Sequence, residues 1–196
     1  TSPVVSCNPI DDIRVETVGP PFKGNEVKIA SDGEILVKGE NVMLGYWNNE
    51  EETKKVLKDG WLHTGDIGIF ENGYLKITDR KKDILITPGG DNISPVKIEN
   101  ELSNSKFIDQ SIVYGDNKPY LVALLVLSDD NTNATKDQIE KEINNINKNL
   151  SRIENIKKFF VVNEKFSIEN GMLTPTLKLK RYKIVKKYKN EFENLY

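Results

Sequence analysis

The sequence predicts an α+β fold in two parts, a β-rich unit over residues 1–79 and a mixed α/β unit over residues 80–196. Two observations carry this. Before Arg80, Asp32-Gly33 and Asn72-Gly73 each stand between short apolar segments, the strongest short-range signal for a β-hairpin. After it, strand-like runs alternate with segments that open on helix-capping residues, the order expected of a sheet layered with helices.

Residues 1–25 are rich in Pro, Gly and polar side chains and read as loop, with one short strand at IRVETV (13–18). EVKIA and EILVKG then flank Ser31-Asp32-Gly33 as a first hairpin, and DIGIF and YLKIT flank Glu71-Asn72-Gly73 as a second. Between them NEEETKKVLK (49–58) reads as a short helix. In the second part DILIT (83–87) is a strand, Gly89-Gly90 a turn, and Ser94-Pro95 a helix start, serine capping and proline filling the first helical position, where its missing N–H is not needed. Ile98 and Leu102 then share one face. FIDQSIVYG and YLVALLVLS read as strands, and Thr135 to Gln138 fits a capping box before a helix whose apolar face is Ile139, Ile143, Ile146 and Leu150. KFFVV is a further strand, and from about residue 180 Ile184, Tyr188, Phe192 and Leu195 line one helical stripe. No internal repeat is present.

Composition narrows the function classes. With 28 Lys+Arg against 30 Asp+Glu there is no basic bias toward nucleic acid. Cys7 is the only cysteine and His63 the only histidine, which excludes a disulfide framework within the chain and weighs against a zinc site or a Cys-His nucleophile. The longest apolar run, LVALLVL (121–127), is too short to cross a bilayer, and no charged-then-apolar leader opens the chain. A reducing cytoplasm is the natural setting, with any membrane contact peripheral. The chain has no initiator methionine and opens on the Pro-punctuated TSPVVSCNP, which reads as a segment of a longer protein.

The chemistry concentrates in GWLHTGDIGIFENGYLKITDRKKD (60–83). Asp66 lies on a Thr-Gly-Asp turn of one hairpin arm and Arg80 ends the returning strand, so a carboxylate and a guanidinium converge. A vicinal diol suits that pair, since a carboxylate accepts two hydroxyl protons while the planar guanidinium donates from the other side. A solvated hairpin explains the same residues as well. Lys82 sits beside the boundary between the two parts with few apolar neighbours, so its backbone can absorb a rotation; a solvated strand end is the alternative. Lys178 belongs to a basic run with Lys180, Arg181, Lys183, Lys186, Lys187 and Lys189, in isolation an ordinary solvated helix face. His63 reads as structural or pocket-lining, Tyr46, Trp47 and Trp61 as core or interdomain packing, and Cys7 as a small buried residue.

Four segments, GEILVKGENVMLGYW (33–47), GWLHTGDIG (60–68), GYLKITDRKKDILITPGGDNISPVKIE (73–99) and LTPTLKLKR (173–181), resemble in order the motifs of the adenylate-forming superfamily of acyl-CoA synthetases, luciferases and peptide-synthetase adenylation domains. GGDNISP, the YLVALLVL strand and a tail without glycine before its lysine look most like long-chain fatty-acid CoA ligases. The resemblance implies the end of the large AMP-binding domain followed by that fold's small mobile C-terminal domain. It implies two half-reactions, in which a carboxylate and ATP give acyl-adenylate and pyrophosphate, and CoA then displaces AMP. By the same resemblance Asp66 holds the ribose hydroxyls of ATP or AMP, Arg80 supports the ribose or phosphates, Lys82 is the hinge, Gly89 and Gly90 line the pantetheine tunnel, and Lys178 bridges the substrate carboxylate and the α-phosphate. Partners are then fatty acid, ATP with Mg2+, and CoA, with no nucleic acid; the remaining tail lysines read as a solvated helix face, with contact to CoA phosphates or anionic lipid as the alternative.

TSPVVS looks like the residues just after the Tyr-Gly-x-Thr-Glu motif whose glutamate holds magnesium, so the metal ligand, the phosphate loop and the acyl pocket are expected upstream, and the chain alone is expected to be inactive. Three readings stand: a fragment of a long-chain acyl-CoA ligase, a non-catalytic nucleotide- or CoA-binding module, and a related ligase for a non-fatty carboxylate.

Overall fold

Asn72 and Gly73 both adopt positive φ, 50° and 83°, the pair of left-handed residues that lets a two-residue hairpin follow the twist of its strands. They close the longest hairpin of the computed structural model, which describes residues 4–196; Thr1, Ser2 and Pro3 of TSPVVS lie outside the described residues. The chain divides into two compact units, Thr1–Asp83 and Ile84–Tyr196.

The first unit comprises β1 (Glu26–Ile29), β2 (Glu34–Lys38), α1 (Glu50–Val56), β3 (Leu57–Lys58), β4 (Trp61–Glu71) and β5 (Tyr74–Arg80). The sheet order is β1-β2-β4-β3, with β5 also paired to β4. β4 is long because it serves three partners: at its start it pairs β3, with Trp61 opposite Lys58, it pairs β2, with His63 opposite Leu36, and from Asp66 onward it pairs β5. Ile35, Val37 and Leu75 form the buried core, with Val5, Val18, Val27, Ile29 and Val42 packed against it. Gly68 is required there, because a Cβ would lie 2.5 Å from the Lys76 carbonyl oxygen and 2.7 Å from Ile35. α1 is capped by the Asn49 side chain, with Glu50 to Glu52 in its first turn and Lys54 and Lys55 in its last, both favourable to the helix dipole.

Several expectations for this unit are corrected. IRVETV is not a strand: Asn8 bonds the backbone of Arg14 and Thr17 and folds the segment into turns, leaving only Val18 and Gly19 to pair with Leu75. Cys7 is exposed, not buried. Trp47 is 91% exposed and Tyr46 is exposed beside it, so neither packs into this unit. Trp61 is half-buried under the Lys28 ammonium, 3.9 Å from its ring centre.

The second unit comprises β6 (Leu85–Ile86), β7 (Asn92–Ile93), α2 (Pro95–Ser103), β8 (Ile108–Tyr114), β9 (Leu121–Leu127), α3 (Lys136–Ile146), β10 (Ile156–Val162), α4 (Arg181–Lys187) and α5 (Lys189–Glu193). Its main sheet has the order β10-β9-β8; β8 runs antiparallel to β9, and β10 parallel to it. A parallel pair needs a long crossover, and α3 provides it. All seven residues of β9 are buried. Leu121, Ala123, Leu125 and Leu127 meet Ile98, Leu102, Ile139 and Ile143, whereas Val122, Leu124 and Val126 meet Ile184, Tyr188 and Phe192. A central strand covered on both faces has no polar side, hence the unbroken apolar run. Ser94 caps α2, and Thr135 with Gln138 forms the capping box of α3. The predicted DILIT strand contracts to Leu85–Ile86, and the C-terminal stripe breaks at Tyr188 (φ −102°, ψ 25°) into two helices. Among the described residues no helix is long and apolar enough to cross a membrane.

Candidate functional site

Asp66 and Arg80 face each other across the β4–β5 ladder, with Arg80 Nε 2.6 Å from the Asp66 carboxylate. The turn that delivers Asp66 is built from one glycine and two side chains. Gly65 adopts φ 71°, which lets the strand bend. Thr64 Oγ1 donates to the Ile35 carbonyl at 2.7 Å and accepts from the Asp66 N–H at 3.1 Å. Glu34, a carboxylate only 5% exposed, accepts from the Gly65 N–H at 2.9 Å, pairs with His63 Nδ1 at 3.0 Å and accepts from Lys81 Nζ at 2.9 Å. Lys81 also donates to Asp32 at 2.6 Å. The Gly65 and Asp66 N–H groups and the Thr64 hydroxyl are therefore bonded before a ligand arrives, which spares part of the ordering cost on binding.

The electrostatics follow from these contacts. Burial pushes the Glu34 carboxyl up, but the hydrogen bonds from Lys81, His63 and Gly65 outweigh it and hold the group below the usual carboxylate range. Lys81 holds Asp32 down in the same way, and Asp32 and Glu34 together raise the Lys81 ammonium. Beside the turn lies a cleft of about 410 Å³ lined by Glu34, Met43, Tyr46, His63, Gly65 and Lys81, among others. His63 is thus both a structural partner and a pocket wall.

The other candidates sit elsewhere. Lys82 is exposed within the single 3-10 turn Lys81–Asp83, which has no buried residue. Lys81 ties that turn to Asp32 and Glu34, and the two compact units divide directly after it, at Asp83. Gly89 and Gly90 lie in the exposed β6–β7 turn, closed by the Gly90 N–H on the Thr87 carbonyl at 2.9 Å. Gly90 adopts φ 88° with no atom within 4 Å of a notional Cβ, so the backbone and not packing within the unit demands glycine. Lys178 is exposed on a loop between Leu173 and Leu179, its N–H bonded to Thr174 Oγ1 at 3.0 Å.

The profile of the AMP-binding enzyme C-terminal domain matches residues 82–196. The chain belongs to the AMP-binding enzyme family. It is 35% identical to the long-chain-fatty-acid–CoA ligase FadD15 of Mycobacterium tuberculosis, over all of this chain and 36% of that protein. It is 39% identical to long-chain-fatty-acid–CoA ligase 5 of Mus musculus, over 88% of this chain and 29% of that protein. Its fold matches the A domain of carboxylic acid reductase from Segniliparus rugosus, solved in complex with AMP and a co-purified carboxylic acid, with a TM-score of 0.81 and 25% identity over 91% of this chain and 32% of that one. The chain spans about a third of the length of the curated relatives it matches.

Within this AMP-binding family member, Asp66 and Arg80 are brought together in the first unit, and Gly89, Gly90 and Lys178 belong to the second. Glu34, Asp32 and Lys81 were missed as site residues. Glu34 follows an Asp-Gly turn, where an acid normally faces water, and nothing local announces that β4 will close over it. Among the described residues no group of three or more His, Cys, Asp or Glu side chains is arranged to hold a metal ion.

Proposed function

We propose that the chain is the C-terminal part of an ATP-dependent long-chain fatty acid–CoA ligase, which forms an acyl-adenylate with release of pyrophosphate and then passes the acyl group to CoA. The observation that carries the reading is the Asp66–Arg80 pair, directly opposed across the hairpin and held by a pre-fastened turn. The Asp66 carboxylate accepts from the two ribose hydroxyls of ATP or AMP, and Arg80 donates to the ribose or the phosphates. Lys178 places a compact ammonium between the fatty-acid carboxylate and the α-phosphate, two anions that must approach each other. Gly89 and Gly90 admit the pantetheine arm of CoA, and Lys82 is the pivot between the half-reactions. The Mg2+ that accompanies ATP is assigned to residues outside this chain. Long-chain fatty acid is the substrate by analogy with the relatives' names, and the setting is cytoplasmic, with any membrane contact peripheral.

In a full-length protein ending in this chain, Lys178→Ala is expected to lower acyl-adenylate formation, read as pyrophosphate exchange, by roughly 100- to 1,000-fold. Supplied acyl-adenylate and CoA should still give thioester. Asp66→Ala should weaken nucleotide use in both half-reactions. Exchange near the parent rate in Lys178→Ala sinks the assignment of that lysine. The 196-residue chain alone should bind ATP, AMP and CoA too weakly for calorimetry at micromolar concentration. Micromolar affinity, about 8 kcal/mol, needs an assembled pocket and would favour a self-sufficient binding module.

A further inference from the structure

Five non-glycine residues among those described have positive φ, and four of them, Asn48, Asp59, Asn72 and Asn117, are of the types that tolerate the left-handed region. The fifth is Leu177, at φ 60°. Its side chain is 69% exposed, so no burial compensates the strain. A residue stays in such a conformation only where its surroundings over-determine it, and such residues gather at functional sites.

The surroundings of Leu177 do over-determine it. The Leu177 N–H donates to the Thr174 carbonyl at 2.9 Å, the Thr174 N–H to the Lys178 carbonyl at 2.8 Å, and the Lys178 N–H to Thr174 Oγ1 at 3.0 Å. Below the loop, Leu173 and Leu179 pair, and the Lys180 N–H donates to the Met172 carbonyl at 2.8 Å. The next residue, Arg181, opens α4 and reaches both Glu99 oxygens, at 2.8 and 2.6 Å, and the Val113 carbonyl at 3.0 Å. Glu99 Oε1 also accepts the Val113 N–H at 2.7 Å. Arg181 and Glu99 are 16% and 10% exposed at their side chains, so this ring of bonds clips the foot of the loop to α2 and β8 away from water. A buried ion pair is weak evidence for stability, since well-packed apolar residues often replace it without loss. What the planar guanidinium adds is a fixed direction, with Nη2 on both Glu99 oxygens and Nη1 on the Val113 carbonyl.

We propose that Leu177, Glu99 and Arg181 are positioning residues for Lys178: the clamp fixes the base of the Thr174–Lys178 loop, and the strained residue at its tip sets the direction in which Lys178 leaves it. This rests on the reading of Lys178 as the charge that meets the acyl carboxylate and phosphate. It also explains how one lysine of a basic run can be set apart from its neighbours.

Amide hydrogen exchange on the 196-residue chain, followed by NMR, tests it, with the amides of Val122 to Val126 in β9 as the reference for unfolding of the whole unit. Leu177→Gly removes the strain and the constraint together. Its melting temperature should be unchanged or higher, while the Lys178 amide exchanges at least tenfold faster and β9 is unaffected. Arg181→Lys keeps the charge but cannot hold Glu99 and the Val113 carbonyl through two nitrogens at once, and should give the same acceleration confined to residues 174–180. Lys178 exchange within twofold of the parent in Leu177→Gly overturns the proposal. Equal acceleration in β9 by a folded Arg181→Lys also overturns it, because the clamp is then merely structural. Should Arg181→Lys fail to fold, Leu177→Gly decides alone. None of these readouts involves catalysis, so a Lys178→Ala protein with unchanged pyrophosphate exchange would remove the chemical reading without being confused with failure of the loop frame.

Discussion

Replacing Glu34 by glutamine should destabilise the first unit by about 2–3 kcal/mol, although the substitution changes neither size nor shape. Three contacts meet the Glu34 carboxylate, from Gly65, His63 and Lys81, at 2.9, 3.0 and 2.9 Å. Hydrogen bonds to a charged group are worth about 1.5–3 kcal/mol each when desolvated. Lys81 is nearly half exposed and keeps Asp32 as a partner, so its share lies at the lower end. A glutamine oxygen can still accept from Gly65, but its amide then turns two donor hydrogens toward Lys81 and His63. Against a typical total of 5–15 kcal/mol the loss is large. Trp47 and Trp61 are the only tryptophans and both lie in the first unit, so urea unfolding followed by fluorescence reads this unit directly. The pH dependence gives a second check. Glu34 and Asp32 are both held below their usual range, so their contribution is complete above the unfolded-state values, near pH 4, and is lost as pH falls through the lower folded values. The parent should therefore weaken below about pH 4 more steeply than Glu34→Gln, and the two curves should converge toward acid. A difference at pH 7 under about 0.5 kcal/mol, or one that does not shrink in acid, refutes the reasoning.

Phe192→Ala should cost the second unit about 3–5 kcal/mol, because the ring is fully buried and stacks on Tyr114 at 4.7 Å and edge-on to Phe160 at 5.1 Å; denaturant unfolding followed by tyrosine circular dichroism measures it, and a loss below about 1 kcal/mol would contradict the packing. Thr135→Ala removes one half of the α3 capping box and should cost about 1 kcal/mol, recovered by Thr135→Ser but not by Thr135→Val. Gly68→Ala should weaken the β4–β5 pairing by about 1–3 kcal/mol and speed amide exchange of Ile69 and Lys76, since the added methyl meets a carbonyl that cannot move without breaking the ladder.

The two hairpins, the caps of α2 and α3, and the β9 run could be read from the amino-acid order because each depends on residues within a few positions: an Asn-Gly turn, a side chain reaching the third N–H of its own helix, an unbroken apolar stretch. The convergence of Asp66 and Arg80 was legible for the same reason, since one short hairpin fixes their register. Tertiary structure decided what depends on partners far along the chain. Whether β9 would be covered on one face or two depended on α3 and on α4 and α5, and its parallel pairing with β10 on the crossover between them. IRVETV has the composition of a strand, but its backbone bonds are taken by Asn8. Glu34 and Glu99 read as ordinary surface acids, and they are buried because Gly65, His63 and Lys81 in one unit, and Val113 and Arg181 in the other, bring enough donors to replace water. A buried charge is tolerated only where such donors assemble, and that assembly is a property of the folded chain, with Glu99 and Arg181 brought together from 82 positions apart.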